Sequence, residues 1–131
     1  MKALIIIPAY NEEGAIVKTV DDITENAPSF DYIVVNDCST DSTKELLEKN
    51  HINHVNLAVN SGIGAAVQTG YIYACRNRYD YAVQIDGDGQ HDAAFLEKML
   101  LELQNSDANM VIGSRFLENN GFQSTGLRRV G

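Results

Sequence analysis

The chain has 131 residues, 44% of them hydrophobic and 21% charged, with only 2 Pro. That is the length of one domain and the composition of a globular one, which excludes disordered, collagen-like and low-complexity classes. A net charge of −8 argues against nucleic acid as the main partner, because a phosphate backbone demands Lys and Arg.

The charge is uneven. Residues 1–110 hold 17 acids and 7 bases, whereas Arg115, Arg128 and Arg129 stand against a single acid in the remainder. Cys38 and Cys75 lack a close spacing, which fits a reduced, cytoplasmic protein better than a disulfide framework. No apolar run approaches the ~18 residues of a membrane span. The run after Met1-Lys2 stops at Pro8, too short for a signal peptide.

Ala3–Ile7 is the first of five short runs, mostly β-branched or aromatic and bounded by polar or Gly residues, that read as strands. The loop Pro8-Ala-Tyr-Asn-Glu-Glu13 follows it, then a helix with Ile16, Val20 and Ile23 on one face. Tyr32–Val35 is the second strand, and Asn36-Asp-Cys-Ser-Thr-Asp41 its loop. Ser42-Thr-Lys-Glu45 is a capping-box pattern opening a helix with Leu46 and Leu47. Val55–Val59 is the third strand, leading through Asn60-Ser-Gly-Ile-Gly64 to a helix with Val67, Tyr71 and Ala74 on one face. Tyr81–Ile85 is the fourth, followed by Asp86-Gly-Asp-Gly-Gln-His91 and a helix with Leu96, Met99, Leu100 and Leu103. Asn109–Ile112 is the fifth, and Gly113-Ser-Arg115 ends it.

Poor alternation within these runs predicts strands buried on both faces. The βαβαβαβαβ order predicts a doubly wound, mostly parallel sheet with helices on both faces and right-handed crossovers. Ligands then bind at the carboxyl ends of the strands, where the polar loops fall. Pro8, Asp37, Asn60 and Asp86 are therefore expected in one crevice.

Asp86-Gly-Asp88-Gly-Gln90 is the sharpest motif. Two carboxylates this close repel unless a cation sits between them, and hard oxygen ligands suit Mg²⁺ or Mn²⁺. An acidic surface turn is the plainer alternative. An EF-hand would need Gly where His91 stands and a helix, not a strand, before the loop. A dinucleotide fingerprint starting at Gly62-Ile-Gly64 fails because Val67 occupies the third glycine position, after the third strand rather than the first. A phosphoacceptor receiver domain would need an Asp where the third strand ends in Val59-Asn60-Ser61. Asp37 is placed either to accept from a base or ribose, or to cap a turn.

Five segments in order resemble family-2 glycosyltransferases: Ile6-Ile-Pro-Ala-Tyr-Asn-Glu-Glu13, Val34-Val-Asn-Asp-Cys-Ser-Thr-Asp-Ser-Thr43, Asn60-Ser-Gly-Ile-Gly-Ala-Ala66, Gln84-Ile-Asp-Gly-Asp-Gly-Gln-His91 and Ile112-Gly-Ser-Arg-Phe116. The last two look most like the branch resembling dolichol-phosphate mannose synthase. The resemblance implies a GT-A fold and a metal-assisted, inverting transfer from a UDP- or GDP-sugar to a polyprenyl phosphate or saccharide acceptor. Residues 1–131 would be one nucleotide-sugar-binding domain, the N-terminal part of a longer transferase domain. In the full protein it would be cytoplasmic, at the membrane surface.

By the same resemblance, Pro8, Ala9, Tyr10, Glu12, Asp37, Asn60, Gly62, Gly64, Asp86 and Gly87 would meet the nucleotide-sugar. Asp86, Asp88 and Gln90 would hold Mg²⁺ or Mn²⁺. Arg115, Arg128 and Arg129 would meet an acceptor phosphate. Ile63 stands where a Lys is common, and Asp92 where a Pro is common. No catalytic base is identified; it is expected beyond Gly131. An apolar face left by the absent half implies self-association. A nucleotide-binding module without turnover is the competing reading.

Overall fold

Parallel pairing around a central strand of seven residues organises the molecule. The computed structural model describes residues 2–86, 93–104, 110–112 and 126–129. Its elements are β1 (Ala3–Ala9), α1 (Ile16–Asn26), β2 (Phe30–Asn36), α2 (Thr43–Lys49), β3 (His54–Asn56), α3 (Ile63–Arg76), β4 (Tyr81–Gln84), α4 (Ala93–Gln104), β5 (Met110–Ile112) and β6 (Gly126–Arg129).

The sheet order is β3-β2-β1-β4-β6-β5. β1 pairs in parallel with β2 along its whole length and with β4 on its other side. β3 continues the parallel set beyond β2. All seven β1 residues are buried, as a strand covered on both faces should be. β6 runs antiparallel to both β4 and β5, so β5 points the same way as β4.

Alternate residues build two cores. Ile5, Ile7, Val34 and Val83 face α1, α2 and α4 through Ile16, Val20, Ile23, Leu47, Leu96 and Met99. Leu4, Ile6, Ile33, Val35 and Ala82 face α3 through Ala66 and Ala74. The doubly wound, mostly parallel sheet with helices on both faces is thus as expected. The hand of the crossovers is not uniform. α4 packs beside α1, yet β4-α4-β5 steps across the sheet in the direction opposite to β1-α1-β2. Two crossovers on one face stepping in opposite directions have opposite hands.

Three local expectations are corrected. The third strand is three residues long, because its partner β2 ends at Asn36; Leu57 N–H still bonds to Asn36 O, and the chain then leaves the sheet. Val59, expected in that strand, is 65% exposed. The capping box does not form, since Ser42 makes no side-chain cap bond to α2. Asp41 Oδ1 instead accepts from Thr43 N–H at 2.9 Å, and Glu13 Oε2 accepts from Ser42 N–H at 3.0 Å. The buried stripe of α3 is Ala66, Gly70 and Ala74, with Val67 and Tyr71 only partly covered. Small residues are selected there by close approach to β1: a Cβ added to Gly70 would fall on Ile6 Cγ2 and come within 2.9 Å of Cγ1.

β6 has no counterpart in the sequence reading. Leu103 lies in α4, but its side chain is outside the described residues.

Candidate functional site

At the carboxyl ends of the parallel strands, β1 leads to α1 on one face while α3 starts on the other. This divergence opens a crevice. Its volume is about 200 Å³, lined by Pro8, Ala9, Tyr10, Glu12, Asp37, Ile63, Ala66 and Asp86. That is below the ~300–1,000 Å³ of a typical small-molecule site, so it suits part of a nucleotide rather than a whole nucleotide-sugar.

Three carboxylates, Glu12, Asp37 and Asp86, share this small space. A diphosphate entering it would meet like charge unless a cation intervened. Among the described residues, no group of three or more His, Cys, Asp or Glu is arranged to hold a metal. Gly87, Asp88 and Gln90 lie outside the described residues, as does Arg115. The one described member of the expected metal set is Asp86, at the crevice end of β4. Its carboxylate chemistry fits a hard divalent cation.

Two loops are fastened to each other beneath the crevice. Asn11, at φ +54°, is a residue type that tolerates the left-handed region. Its Oδ1 accepts from Thr40 N–H at 2.8 Å and Asp41 N–H at 3.2 Å, and its own N–H donates to Ser39 Oγ at 3.0 Å. Glu12 N–H donates to Thr43 Oγ1 at 3.0 Å, and Glu13 N–H to Asp41 Oδ2 at 3.2 Å. Tyr10 and Glu12 are thereby fixed on either side of Asn11.

Asp41 is the charged member of this fastening. Burial, the largest single influence, opposes its charge. Hydrogen bonds from the Thr43 side chain and backbone and from Glu13 together outweigh burial and hold its carboxyl below the usual range. A depressed native pKa adds stability above the unfolded value of about 3.9, lost as pH falls through the native one. In urea unfolding, the advantage of wild type over Asp41→Asn should be full at pH 6–7 and shrink below about pH 4. A pH-independent gap would exclude the charge as its source.

Asp37 joins three elements. It is 4% exposed. Its N–H donates to Ala9 O at 2.8 Å, at the end of β1. Oδ1 accepts from Ser61 N–H at 2.8 Å and Oδ2 from Gly62 N–H at 2.9 Å. Asn60 is absent from the crevice lining but donates through Nδ2 to Asp37 O at 3.3 Å. Gly62 has φ +91° and ψ 164°, a region essentially reserved for glycine. Gly64 needs no such freedom, since nothing lies within 4 Å of an added Cβ.

The structure therefore brings Pro8, Ala9, Tyr10, Glu12, Asp37 and Asp86 together, with Gly62 and Asn60 just behind them. It does not bring Arg128 and Arg129 to the crevice by backbone position. They pair with Ala82 and Tyr81, and each step along β6 leads away from the crevice end of β4. Two lining residues were not singled out for a role in the sequence. Ile63 was noted only as a departure, and Ala66 only as part of a matching segment. An apolar residue opening a helix beside a glycine-rich loop was the signal available.

The description glycosyl transferase family 2 matches residues 4–130. The chain belongs to glycosyltransferase family 2. Relatives in this family include an undecaprenyl-phosphate mannosyltransferase from Micrococcus luteus, 31% identical over 88% of this chain and 49% of its own length. Polyprenol monophosphomannose synthase from Mycolicibacterium smegmatis is 28% identical over 98% of this chain and 51% of its own. The chain spans about half the length of these curated relatives.

The fold is shared with solved glycosyltransferases. A mannosyltransferase from Pyrobaculum calidifontis, in complex with GDP-Man and Mn²⁺, superposes with TM-score 0.76 at 18% identity, covering 98% of this chain and 44% of that one. Glucosyl-3-phosphoglycerate synthase from Mycobacterium tuberculosis, in complex with UDP, gives 0.74 at 19% identity over 98% and 56%. This family-2 chain has the GT-A architecture, and among its described residues no helix is long and apolar enough to cross a membrane.

Proposed function

We propose that this chain is the donor-binding half of an enzyme that transfers a sugar from a UDP- or GDP-sugar to a polyprenyl phosphate or saccharide acceptor, with inversion and with a divalent metal. The observation that carries this reading is the crevice between the ends of β1 and β4, lined by Pro8, Ala9, Tyr10, Glu12, Asp37 and Asp86. Relatives named for polyprenyl-phosphate acceptors and GT-A neighbours in complex with GDP-Man or UDP support it.

Pro8, Ala9, Ile63 and Ala66 give an apolar wall for a nucleoside. Tyr10, Glu12, Asn60, Gly62 and Gly64 would supply polar and close-approach positions around it, as would Gly87, which lies outside the described residues. Asp86, Asp88 and Gln90 would hold Mg²⁺ or Mn²⁺, which supplies Lewis-acid stabilisation of the charge developing on the leaving diphosphate. Asp86 presents its carboxylate from the end of a buried strand, a rigid mount for that task. The sugar passes through an oxocarbenium-like state, as in glycoside hydrolysis. A lipid phosphate acceptor is already nucleophilic and needs a cationic partner more than a base. Arg115 is the candidate; Arg128 and Arg129 would have to reach it from further along β6. The setting is the cytoplasmic face of a membrane.

Self-association belongs to the same reading. Tyr10, Val59 and Ile63 leave large apolar surface exposed.

Calorimetric titration of the chain with UDP and with GDP, in Mn²⁺, tests the proposal. Binding of one of them is expected. Absence of binding to both would overturn it, and light scattering on the same sample reads self-association, which a strict monomer would exclude.

A further inference from the structure

We infer that Asn11 is a positioning residue for the crevice: its side chain ties the loop after β1 to the loop after β2 and so holds Tyr10 in the crevice wall. The inference rests on the proposed reading of the crevice as a nucleotide site. Tyr10 lines that crevice and Asn11 does not. Tyr10 is 44% exposed, so its own packing holds it weakly, and its place is set by the residues on either side. Ala9 O, at the end of β1, accepts from Asp37 N–H at 2.8 Å. Asn11 is bonded further along the same loop. Its Oδ1 accepts from Thr40 N–H at 2.8 Å, Thr40 Oγ1 at 3.3 Å and Asp41 N–H at 3.2 Å, and its N–H donates to Ser39 Oγ at 3.0 Å.

These bonds select the backbone conformation of Asn11. Its φ is +54°, in the left-handed region that Asn enters by hydrogen-bonding locally through its short side chain. A carbonyl oxygen has two lone pairs, and the Thr40 and Asp41 amides take both. That oxygen is committed to the loop. Glu12 is held separately, by its N–H on Thr43 Oγ1 at 3.0 Å and by its O, which accepts from Ala15 and Ile16 N–H. Loss of the Asn11 bonds therefore acts first on Tyr10. A tyrosine fixed before the ligand arrives costs less to order on binding than a free one.

Asn11→Gly tests this, because glycine enters the left-handed region without strain but does not favour it. The fold should be kept, which circular dichroism at the titration temperature checks. Affinity for whichever of UDP and GDP wild type binds, in Mn²⁺, should weaken about tenfold, as the fraction of chains with Tyr10 in place falls. A residue that only stabilised the fold would lower Tm and leave the affinity of folded chains unmoved. Tyr10→Ala should weaken binding as well. In the Tyr10→Ala background, Asn11→Gly should change affinity by less than about twofold, since the side chain it positions is gone.

Unchanged affinity in Asn11→Gly, or in Tyr10→Ala, would overturn the inference. Equal losses from Asn11→Gly with and without Tyr10 would overturn it too, and make Asn11 a ligand contact in its own right. If Asn11→Gly fails to fold, wild type and Tyr10→Ala decide. Thr40 and Asp41 lie outside any helix, so slow amide hydrogen exchange at both, with weakened binding by Tyr10→Ala, upholds the inference. Fast exchange at both refutes it. Failure of wild type to bind either nucleotide would instead defeat the proposed function, an outcome distinct from wild-type binding that Asn11→Gly leaves intact.

Discussion

Chelating divalent metal is expected to abolish binding of UDP or GDP by this chain, and Asp88→Asn is expected to remove most of the metal's effect. The argument is electrostatic. Glu12, Asp37 and Asp86 already crowd a crevice of about 200 Å³, and a diphosphate brings further negative charge. At separations of a few ångströms, like charges near a protein surface repel by several kcal/mol, on the order of 332/(εr) with an effective ε of about 20. Among the described residues no Lys or Arg lines the crevice to offset this, and Ile63 stands at the start of α3 where a cation would have helped. A bound Mg²⁺ or Mn²⁺ reverses the sign of the local field.

Asp88→Asn preserves volume while removing one formal charge and, on the proposed reading, one strong ligand. Metal-dependent affinity should fall by about 10–100-fold, the range seen when a supporting interaction at a metal site is lost. The fold should be kept, which circular dichroism checks. Equal nucleotide affinity with metal and with chelator in wild type would show that the acidic turn has no part in donor binding.

Gly70→Ala is expected to destabilise the chain, although alanine is the better helix former by about 1 kcal/mol. The added methyl would occupy the space of Ile6 Cγ2 and lie 2.9 Å from Cγ1. Ile6 is fully buried on the central strand and has nowhere to move. Overpacking of this kind costs about 1–3 kcal/mol, and here helix and strand must part along their whole contact. The net loss should be about 1 kcal/mol, a few degrees in Tm for a domain of this length. Ile6→Ala alone should cost about 2–5 kcal/mol through the cavity it leaves. Together the two changes should cost less than their sum, because the new methyl enters that cavity. Thermal unfolding of the four proteins gives the cycle. A Gly70→Ala protein as stable as wild type would mean that α3 rides higher on the sheet than described.

That contact also marks where sequence periodicity misleads. The strand runs were legible because parallel strands buried on both faces must be apolar throughout, as Leu4–Ile7 and Ile33–Val35 are. In α3 the same weighting of large side chains chose Val67 and Tyr71, whereas the contact is made by Ala66, Gly70 and Ala74. Hydrophobicity measures what a side chain gains by burial; it does not measure how near a backbone comes. Val59 was drawn into a strand by its β-branched character, yet the chain leaves the sheet after Leu57.

β6 was illegible for a different reason. Its Leu127, Arg128 and Arg129 contain no apolar run, and its place depends on pairing with strands distant in sequence. Six of the eight crevice-lining residues were legible because polar loops recur at strand ends, and Ile63 and Ala66 were not. The bond from Asp37 to the α3 loop was not, because a short sequence does not say which backbone amide a carboxylate will meet.

β6 also sets the order in which the sheet can be completed. It lies between β4 and β5 and, in the described sheet, is the strand that joins them. As the chain leaves the ribosome, N-terminal segments emerge first, at about 5–20 residues per second. β1 to β4 can therefore assemble while β4 still presents an unpaired edge, and β5 waits without a neighbour. Both are finished by the same four residues, emerging after position 125. For about a second or more, the nascent chain carries an open edge of the kind that recruits strands from other chains.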